Sequence, residues 1–340
     1  MKLLCVTDTH WGCRNDNPHF YEYQKKFLDK VFFPYIEHIK PDAILHLGDL
    51  VDNRRSANYR TYETLDRDFI TPMFNTGIEQ HWLVGNHDSY WKNTLAINAV
   101  DKFVNSGVVH SKPEEAVIGD KKVLFVPWIC DDNREESLRL INNSDAQYCF
   151  GHLELDGFEV RRGLLHKGGT NRNIFNNFDV VLSGHFHNRS HGNNIRYIGA
   201  PFQYDWSDYG EYKGVALLDT ETNRISYIKN PFNMFNILEY RDSETYEVEH
   251  LKDTYVRIFV KEKESESRFN DLVSRINDIG VIDLTIVDNT YKDITLVDDV
   301  VIVDEVKTVF DNYIDSLDLP NKSDVQDLFE SIYKESISSI

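Results

Sequence analysis

Nine side chains able to bind a metal ion or move a proton fall at the ends of five apolar runs in this 340-residue chain. They are Asp8 and His10 in TDTHWG, Asp49 in GDLVD, Asn86, His87 and Asp88 in GNHD, His152 in FGHLE, and His185 with His187 in SGHFH. Three carboxylates, one amide and five imidazoles, with no cysteine among them, form a mixed oxygen and nitrogen donor set. It suits Mn, Fe, Co or Zn rather than Ca or a thiolate-held structural zinc. One cation cannot use so many ligands. A pair of cations roughly 3.5–4 Å apart can, and such pairs carry out hydrolysis by acidifying a water and stabilising charge on phosphate oxygens. The run VVLSGHFHN, 180–188, reads as a buried strand carried on into its histidines. In extended backbone, residues i and i+2 face one side about 6–7 Å apart, so His185 and His187 would each reach a different ion. Asp8 and His10 share that spacing and are expected to chelate one ion. A lone histidine at a strand end is usually a satisfied polar residue, and a Gly-Asp pair is more often a turn. The set in this order is what points to chemistry.

The elements that must position these residues alternate in type. Apolar runs at KLLCVTD, AILHLGD and HWLVGNHD are separated by helical patterns at 20–38 and 59–75, which predicts βαβ units around a largely buried sheet. Further strands are predicted at KVLFVPW, AQYCFGH, DVVLSGH, IRYIGAP, GVALLD and RISYIK. In open α/β sheets ligands bind outside the carboxyl ends of the strands, and all five clusters would converge there. The fold expected is α/β, a double β-sheet sandwich flanked by helices over 1–230. A small α/β unit follows over 231–298, read from a strand, helix, strand pattern that begins at Thr254, and then a helical tail over 299–340. In the tail, Val303, Val306, Phe310, Tyr313 and Leu317 share one helical face. Val325, Leu328, Phe329, Ile332 and Tyr333 share another, with a capping box from Ser323. These helices either fold back on the body or dock on a partner.

Composition sets wider bounds. With 41% hydrophobic residues the chain can bury a full core. No apolar run of about 18 residues or signal-like start is present, so no membrane partner and a cytoplasmic location are expected. Cys5, Cys13, Cys130 and Cys149 lack CxxC spacing and are expected to be buried free thiols. The net charge of -19 is unevenly spread. Residues 1–230 carry 26 Lys and Arg against 31 Asp and Glu, and 231–340 carry 11 against 25. Two bound divalent cations would make the first part nearly neutral and its cleft positive. The charge therefore does not exclude a phosphate substrate.

The ordered motifs D-x-H, G-D-x-x-D, G-N-H-D, G-H and G-H-x-H resemble those of the calcineurin-like metallophosphoesterases, across most of residues 1–230. Within that superfamily, GDLVDNRR, GNHD and IRYIGAPFQYDWSDYGEYKG resemble the meiotic-recombination-eleven and SbcD nuclease family of double-strand-break repair, its phage-encoded recombination endonucleases above all. The resemblance implies that Asp8, His10 and His187 hold one metal, that Asn86, His152 and His185 hold the other, and that Asp49 bridges them. The usual metal is Mn, with Mg the alternative in the cell. It further implies that His87 is a catalytic histidine near the leaving group and that Asp88 orients it. The small unit would steer DNA toward the metals, the tail would dock on an SbcC-type ABC ATPase, and the chain would form a homodimer, in the host cytoplasm if phage-encoded.

The sequence departs from the family pattern at Thr7, where Gly or Ala is usual, at Trp11, where Leu is common, and at Asp52, where some relatives carry a histidine linked to exonuclease action. These positions flank the ligands, and Asp52 leaves the balance of exonuclease to endonuclease open. Arg54, Arg55 and Arg60 after GDLVD, and Arg161, Arg162 and Lys167 after His152, are candidate DNA phosphate contacts, with solvated loop charge as the alternative. Two other functions are compatible with the same residues: a phosphoprotein or small-molecule phosphoesterase, and a non-catalytic scaffold.

Overall fold

The computed structural model describes residues 1–288. The tail residues read as helical faces, including Val325, Leu328, Phe329, Ile332 and Tyr333, lie outside the described residues.

Two six-stranded sheets make the body. The first joins β1 (Lys2–Val6), β2 (Ala43–His46), β3 (Glu79–Leu83) and β6 (Val108–His110) in parallel, with the antiparallel hairpin β15 (Gly214–Asp219) and β16 (Arg224–Lys229) added beside β1. The second runs in the order β13 (Ser190–Gly192), β14 (Ile195–Tyr197), β12 (Val180–Gly184), β9 (Tyr148–His152), β8 (Lys121–Val126) and β7 (Glu114–Ile118). β8, β9, β12 and β14 in it are parallel. Short hairpins β4 (Ser89–Trp91) with β5 (Thr94–Asn98), and β10 (Glu159–Arg161) with β11 (Leu164–Leu165), stand outside both sheets. The sequence reading missed both hairpins, β6, β7 and β13.

The inner strands β1, β2, β8, β9, β12 and β15 are buried on both faces, which is why they appear as nearly unbroken hydrophobic runs rather than alternating ones. Leu3, Cys5, Leu45 and Leu83 of the first sheet meet Phe125, Phe150 and Leu182 of the second in the layer between them. Outward, Leu4, Val6 and Ile44 pack against Phe20, Phe27, Leu65 and Phe69 of the helical stretches. On the far side Leu124, Cys149 and Val181 pack against Ile141, Phe175 and Phe178. The result is the four-layered sandwich, helices outside and sheets within, that the sequence predicts. Each fully buried Phe or Leu contributes roughly 1.5–3 kcal/mol. All four cysteines are buried and unpaired.

Both long helical stretches contain a proline, and both widen just before it. Residues 18–39 pass through a π-turn at Leu28–Phe32 ahead of Pro34, and residues 59–75 through one at Asp66–Ile70 ahead of Pro72. A proline lacks the N–H for the usual ladder and crowds the carbonyl four residues earlier; the wider turn accommodates it.

After β16, a parallel three-stranded sheet forms from β17 (Phe235–Tyr240), β18 (Tyr255–Val260) and β19 (Asp283–Asp288), covered by the helix Glu266–Asp278. The strand, helix, strand pattern is as predicted; β17 is an addition to it. Gln203 ties β17 to the body by accepting from the N–H groups of Met234 (2.7 Å) and Phe235 (3.1 Å). Among the described residues, no helix is long and apolar enough to cross a membrane.

Candidate metal centre

The loops that leave β1, β2 and β3 carry Asp8, Asp49 and Asn86, while β9 ends on His152 and β12 ends one residue before His185. The carboxyl ends of both sheets thus share one rim. The loops are laced together: the N–H groups of Asp8, His10 and Trp11 donate to the carbonyls of Gly48 (2.9 Å), Asp49 (3.1 Å) and Leu50 (2.8 Å). Asp8, His10 and Asp49 all have left-handed backbone, with φ of 50°, 43° and 55°. Each such residue costs on the order of 1–3 kcal/mol and persists where its surroundings fix it, typically at functional sites.

The histidine pair departs from the expected extended strand. The ladder with β9 ends at Gly184, and His185 turns away at φ 89° because its N–H is taken by the Asp8 carboxylate at 3.1 Å instead of by a neighbouring strand. A Cβ at Gly184 would run into the Thr7 hydroxyl, and one at Gly85 into the Asp49 carboxylate, so the loops approach as closely as they do only because both residues are glycine. The two rings still diverge. His185 Nδ1 lies 2.9 Å from Asn86 Oδ1, whereas His187 Nε2 lies 3.0 Å from His10 Nε2.

Two donor groups flank the centre, and a third overlaps them. The ligand atoms of Asp8, His10 and His187 fall within 4.8 Å of one another, as do those of Asp49, His152 and His185 and those of His10, Asp49 and His87. Asn86 Oδ1 joins the second group, 3.0 Å from His152 Nε2. Asp49 stands between them, with Oδ2 at 3.3 Å from His152 Nε2 and 3.7 Å from His10 Nε2. The chemistry of this set fits a pair of divalent cations. His152 Nδ1 donates to the Leu47 carbonyl at 2.8 Å, which leaves the Nε2 lone pair facing two oxygens that also carry only lone pairs. Cations satisfy such a convergence. In their absence protons do: burial pulls the pKa of His10 down, but Asp52, Asp49 and Asp8 outweigh it and push it up to about 9. His152 likewise reaches about 9, burial being outweighed by Asp49 and Asp8. His185 is pushed down to about 3 by burial and the charge of His152, and His187 well below its usual value by burial and His10, so both rings stay neutral.

Around the ligands the hydrogen bonds assign other roles. His87 Nδ1 donates to the Asp52 carbonyl (2.7 Å), and its backbone N–H donates to Asp49 Oδ1 (2.8 Å), so its Nε2 is the free nitrogen. The hydrogen bond on the His87 ring is thus made by Asp52, and the hydrogen bonds of Asp88 go elsewhere. Fully buried, Asp88 accepts from the N–H groups of Asp49, Leu50, Val51 and Gly85 at 2.8–3.1 Å, which absorbs both its oxygens and fixes the Asp49 loop. Burial and Asp49 push the Asp88 pKa up to about 7 against those bonds. Asp52 also places Oδ1 3.4 Å from His10 Nδ1.

Several supporting residues escaped the sequence reading. His46 Nδ1 accepts from the Gly48 N–H (3.3 Å) and its Nε2 donates to Thr9 Oγ1 (3.0 Å), which donates on to the Leu50 carbonyl (3.1 Å). Burial holds this ring neutral, with its pKa down at about 3. Trp128 packs against His185, and Tyr204 against His10 and His187. The only signal for the last lies in the run IRYIGAPFQYDWSDYGEYKG.

The basic residues divide. Arg54 is half-buried and close enough to Asp49 and Asp88 to feel their charge, and Arg55 is exposed. Arg60 lies over the ring of Tyr21. Arg161 and Arg162 face Asp205 at 4.0 Å and Glu211 at 3.3 Å, which offsets their charge, and Lys167 is exposed. Beside Asp52 opens a polar cavity of about 310 Å³ whose walls include Asn15, Asp16, Asn53, Asn58 and Thr61.

A family model described as calcineurin-like phosphoesterase matches residues 1–189. Exonuclease subunit 1 of Enterobacteria phage T4 is 27% identical to the chain, over 97% of each protein. The SbcD component of the nuclease SbcCD from Staphylococcus epidermidis is 27% identical over 66% of this chain and 67% of its own length. Among solved structures, the purple acid phosphatase PPD1 of yellow lupin aligns at 12% identity over 67% of this chain and 51% of that one, with a TM-score of 0.44.

Proposed function

Because the chain belongs to the calcineurin-like phosphoesterase family, we propose that it is a DNA nuclease, endonucleolytic and exonucleolytic, that uses two divalent cations, Mn by preference. One observation carries this reading: a buried carboxylate, Asp49, lies between two groups of converging donors. In the proposed assignment Asp8, His10 and His187 would hold one cation and Asn86, His152 and His185 the other, with Asp49 available to both. Two such cations, when bound, supply positive charge against phosphate oxygens and acidify a water for attack. Asn86 fits its place because an amide oxygen fills a coordination position without adding negative charge.

The chain's own residues account for the rest. Asp52 fixes His87 through its carbonyl, which leaves Nε2 unbonded and able to serve as general acid toward the departing sugar oxygen. Asp88 keeps Asp49 in register without touching substrate. Arg54 and Arg55 would meet phosphates flanking the scissile bond, positioning DNA without reading its sequence. Two relatives are named as parts of nucleases, which supports DNA as substrate and an SbcC-type ABC ATPase as partner. That partner would be met through the apolar tail set Val325 to Tyr333, with a homodimer of this chain at the core of the assembly.

The test is cleavage of end-labelled single- and double-stranded DNA with Mn, beside a phosphomonoester and a His87→Ala control. Mn-dependent DNA cleavage lost in the control is the expected result. Phosphomonoester turnover without DNA cleavage would transfer the site to a phosphatase.

A further inference from the structure

Lys213 is buried, with only 2% of its surface exposed, far from where a lysine normally sits. Its ammonium spends all three donors: on Asp208 Oδ1 at 2.5 Å, on the His187 carbonyl at 3.0 Å and on Asn188 Oδ1 at 3.2 Å. Asp208, also buried, accepts in turn from the N–H groups of Tyr204 (2.7 Å) and Asp205 (3.3 Å). Tyr204 donates its hydroxyl to the Asp8 carbonyl at 2.6 Å, and its ring stands against His10 and His187, with centroids 5.2 and 5.4 Å away. One short segment, QYDWSDYGEYK at 203–213, therefore touches Asp8, His10 and His187. Among the described residues, none of its hydrogen bonds or ring contacts reaches Asn86, His152 or His185. His152 rests instead on the Leu47 carbonyl, and His185 has Trp128 against its ring, although its backbone N–H also donates to the Asp8 carboxylate at 3.1 Å.

A buried ion pair adds little net stability, because removing both charges from water costs about as much as their attraction returns. What the Lys213–Asp208 pair does provide is a fixed charge on the backbone of a ligand loop, and groups behind metal ligands set metal affinity. We propose that Lys213, Asp208 and Tyr204 are positioning residues for the Asp8, His10 and His187 cation alone, so that this cation has a support the other lacks and can be lost separately. This rests on the two-cation reading above.

Mn uptake by the full chain, titrated calorimetrically and followed by electron paramagnetic resonance, tests it. The variants are Tyr204→Phe, which removes one hydroxyl, and the double substitution Lys213→Met with Asp208→Asn, which leaves no unpaired buried charge. Circular dichroism verifies that each is folded. Wild type should take up two Mn as a spin-coupled pair. In each variant one binding step should weaken roughly 10–100-fold and the other stay unchanged, giving the signal of an isolated Mn at intermediate loading. Adding the double substitution to His187→Ala should bring no further loss, since the ligand it supports is already gone. Should the folded Tyr204→Phe chain bind both Mn as wild type does, or weaken both steps equally, the proposal is overturned while the two-cation reading stands. A wild type that takes up fewer than two Mn would overturn that reading, and this inference with it.

Discussion

Asp49 illustrates how one side chain organises the centre. Its carboxylate lies within reach of His10 and His152, and its charge is a main reason both rings hold protons up to about pH 9 in the metal-free chain. A histidine with a raised pKa stabilises the fold fully below its unfolded value near 6.5 and loses that contribution as pH rises through the folded value. Metal-free protein should therefore lose stability between about pH 6.5 and 9. Mn needs these nitrogens unprotonated, so its uptake at pH 7 should release protons and its affinity should climb with pH. Calorimetry in buffers of different ionisation heat measures the release; binding heats independent of buffer would contradict it. His87 is expected to behave differently. His87→Ala should keep both Mn, because the residue lies outside both proposed ligand sets, and lose cleavage by roughly 10²–10⁴-fold, the usual range for a general acid.

The ligand-bearing elements are loops held by other loops rather than strands extended into solvent. The apolar runs locate every strand that delivers a ligand, and GD, GNHD and GHFH mark where each run stops. The left-handed turns at Asp8, His10, Asp49 and His185 were not legible, because they depend on hydrogen bonds between strands far apart in sequence. The role of Asp88 was hidden for the same reason: GNHD shows an acid beside a histidine, whereas its four N–H partners come mostly from the Asp49 loop. Asp88→Ala would strand those N–H groups, each worth about 1–3 kcal/mol when left buried without a partner. It should lower stability by more than about 3 kcal/mol in urea denaturation and abolish Mn uptake, though Asp88 is no ligand in the assignment. Undiminished Mn binding in the folded variant would contradict that account.

Across the whole molecule, the centre belongs to neither sheet alone. The first sheet supplies Asp8, His10, Asp49, Asn86 and His87, and the second His152, His185 and His187, so only the packed sandwich brings the donors together. This convergence was readable because parallel strands present their carboxyl ends to one rim. The small pieces were not: β4, β5, β6, β7, β10, β11 and β13 are short or exposed, with too little apolar pattern to stand out, and β17 is recognisable only through its pairing with β18. Net charge acts at this scale too. A chain at -19 should hold DNA weakly and in a strongly salt-dependent way, with binding falling steeply from about 50 to 200 mM salt. Arg54→Ala or Arg55→Ala should reduce the slope of that dependence by about 1. Arg161→Ala should change it less, since Asp205 already offsets that charge.

The central claim is that two cations meet at Asp49, and anomalous diffraction at the Mn edge from crystals grown with Mn measures it most directly. Two peaks are predicted, one against Asp8, His10 and His187 and the other against Asn86, His152 and His185, with the Asp49 carboxylate touching both. A single peak, or two that do not share Asp49, would contradict it.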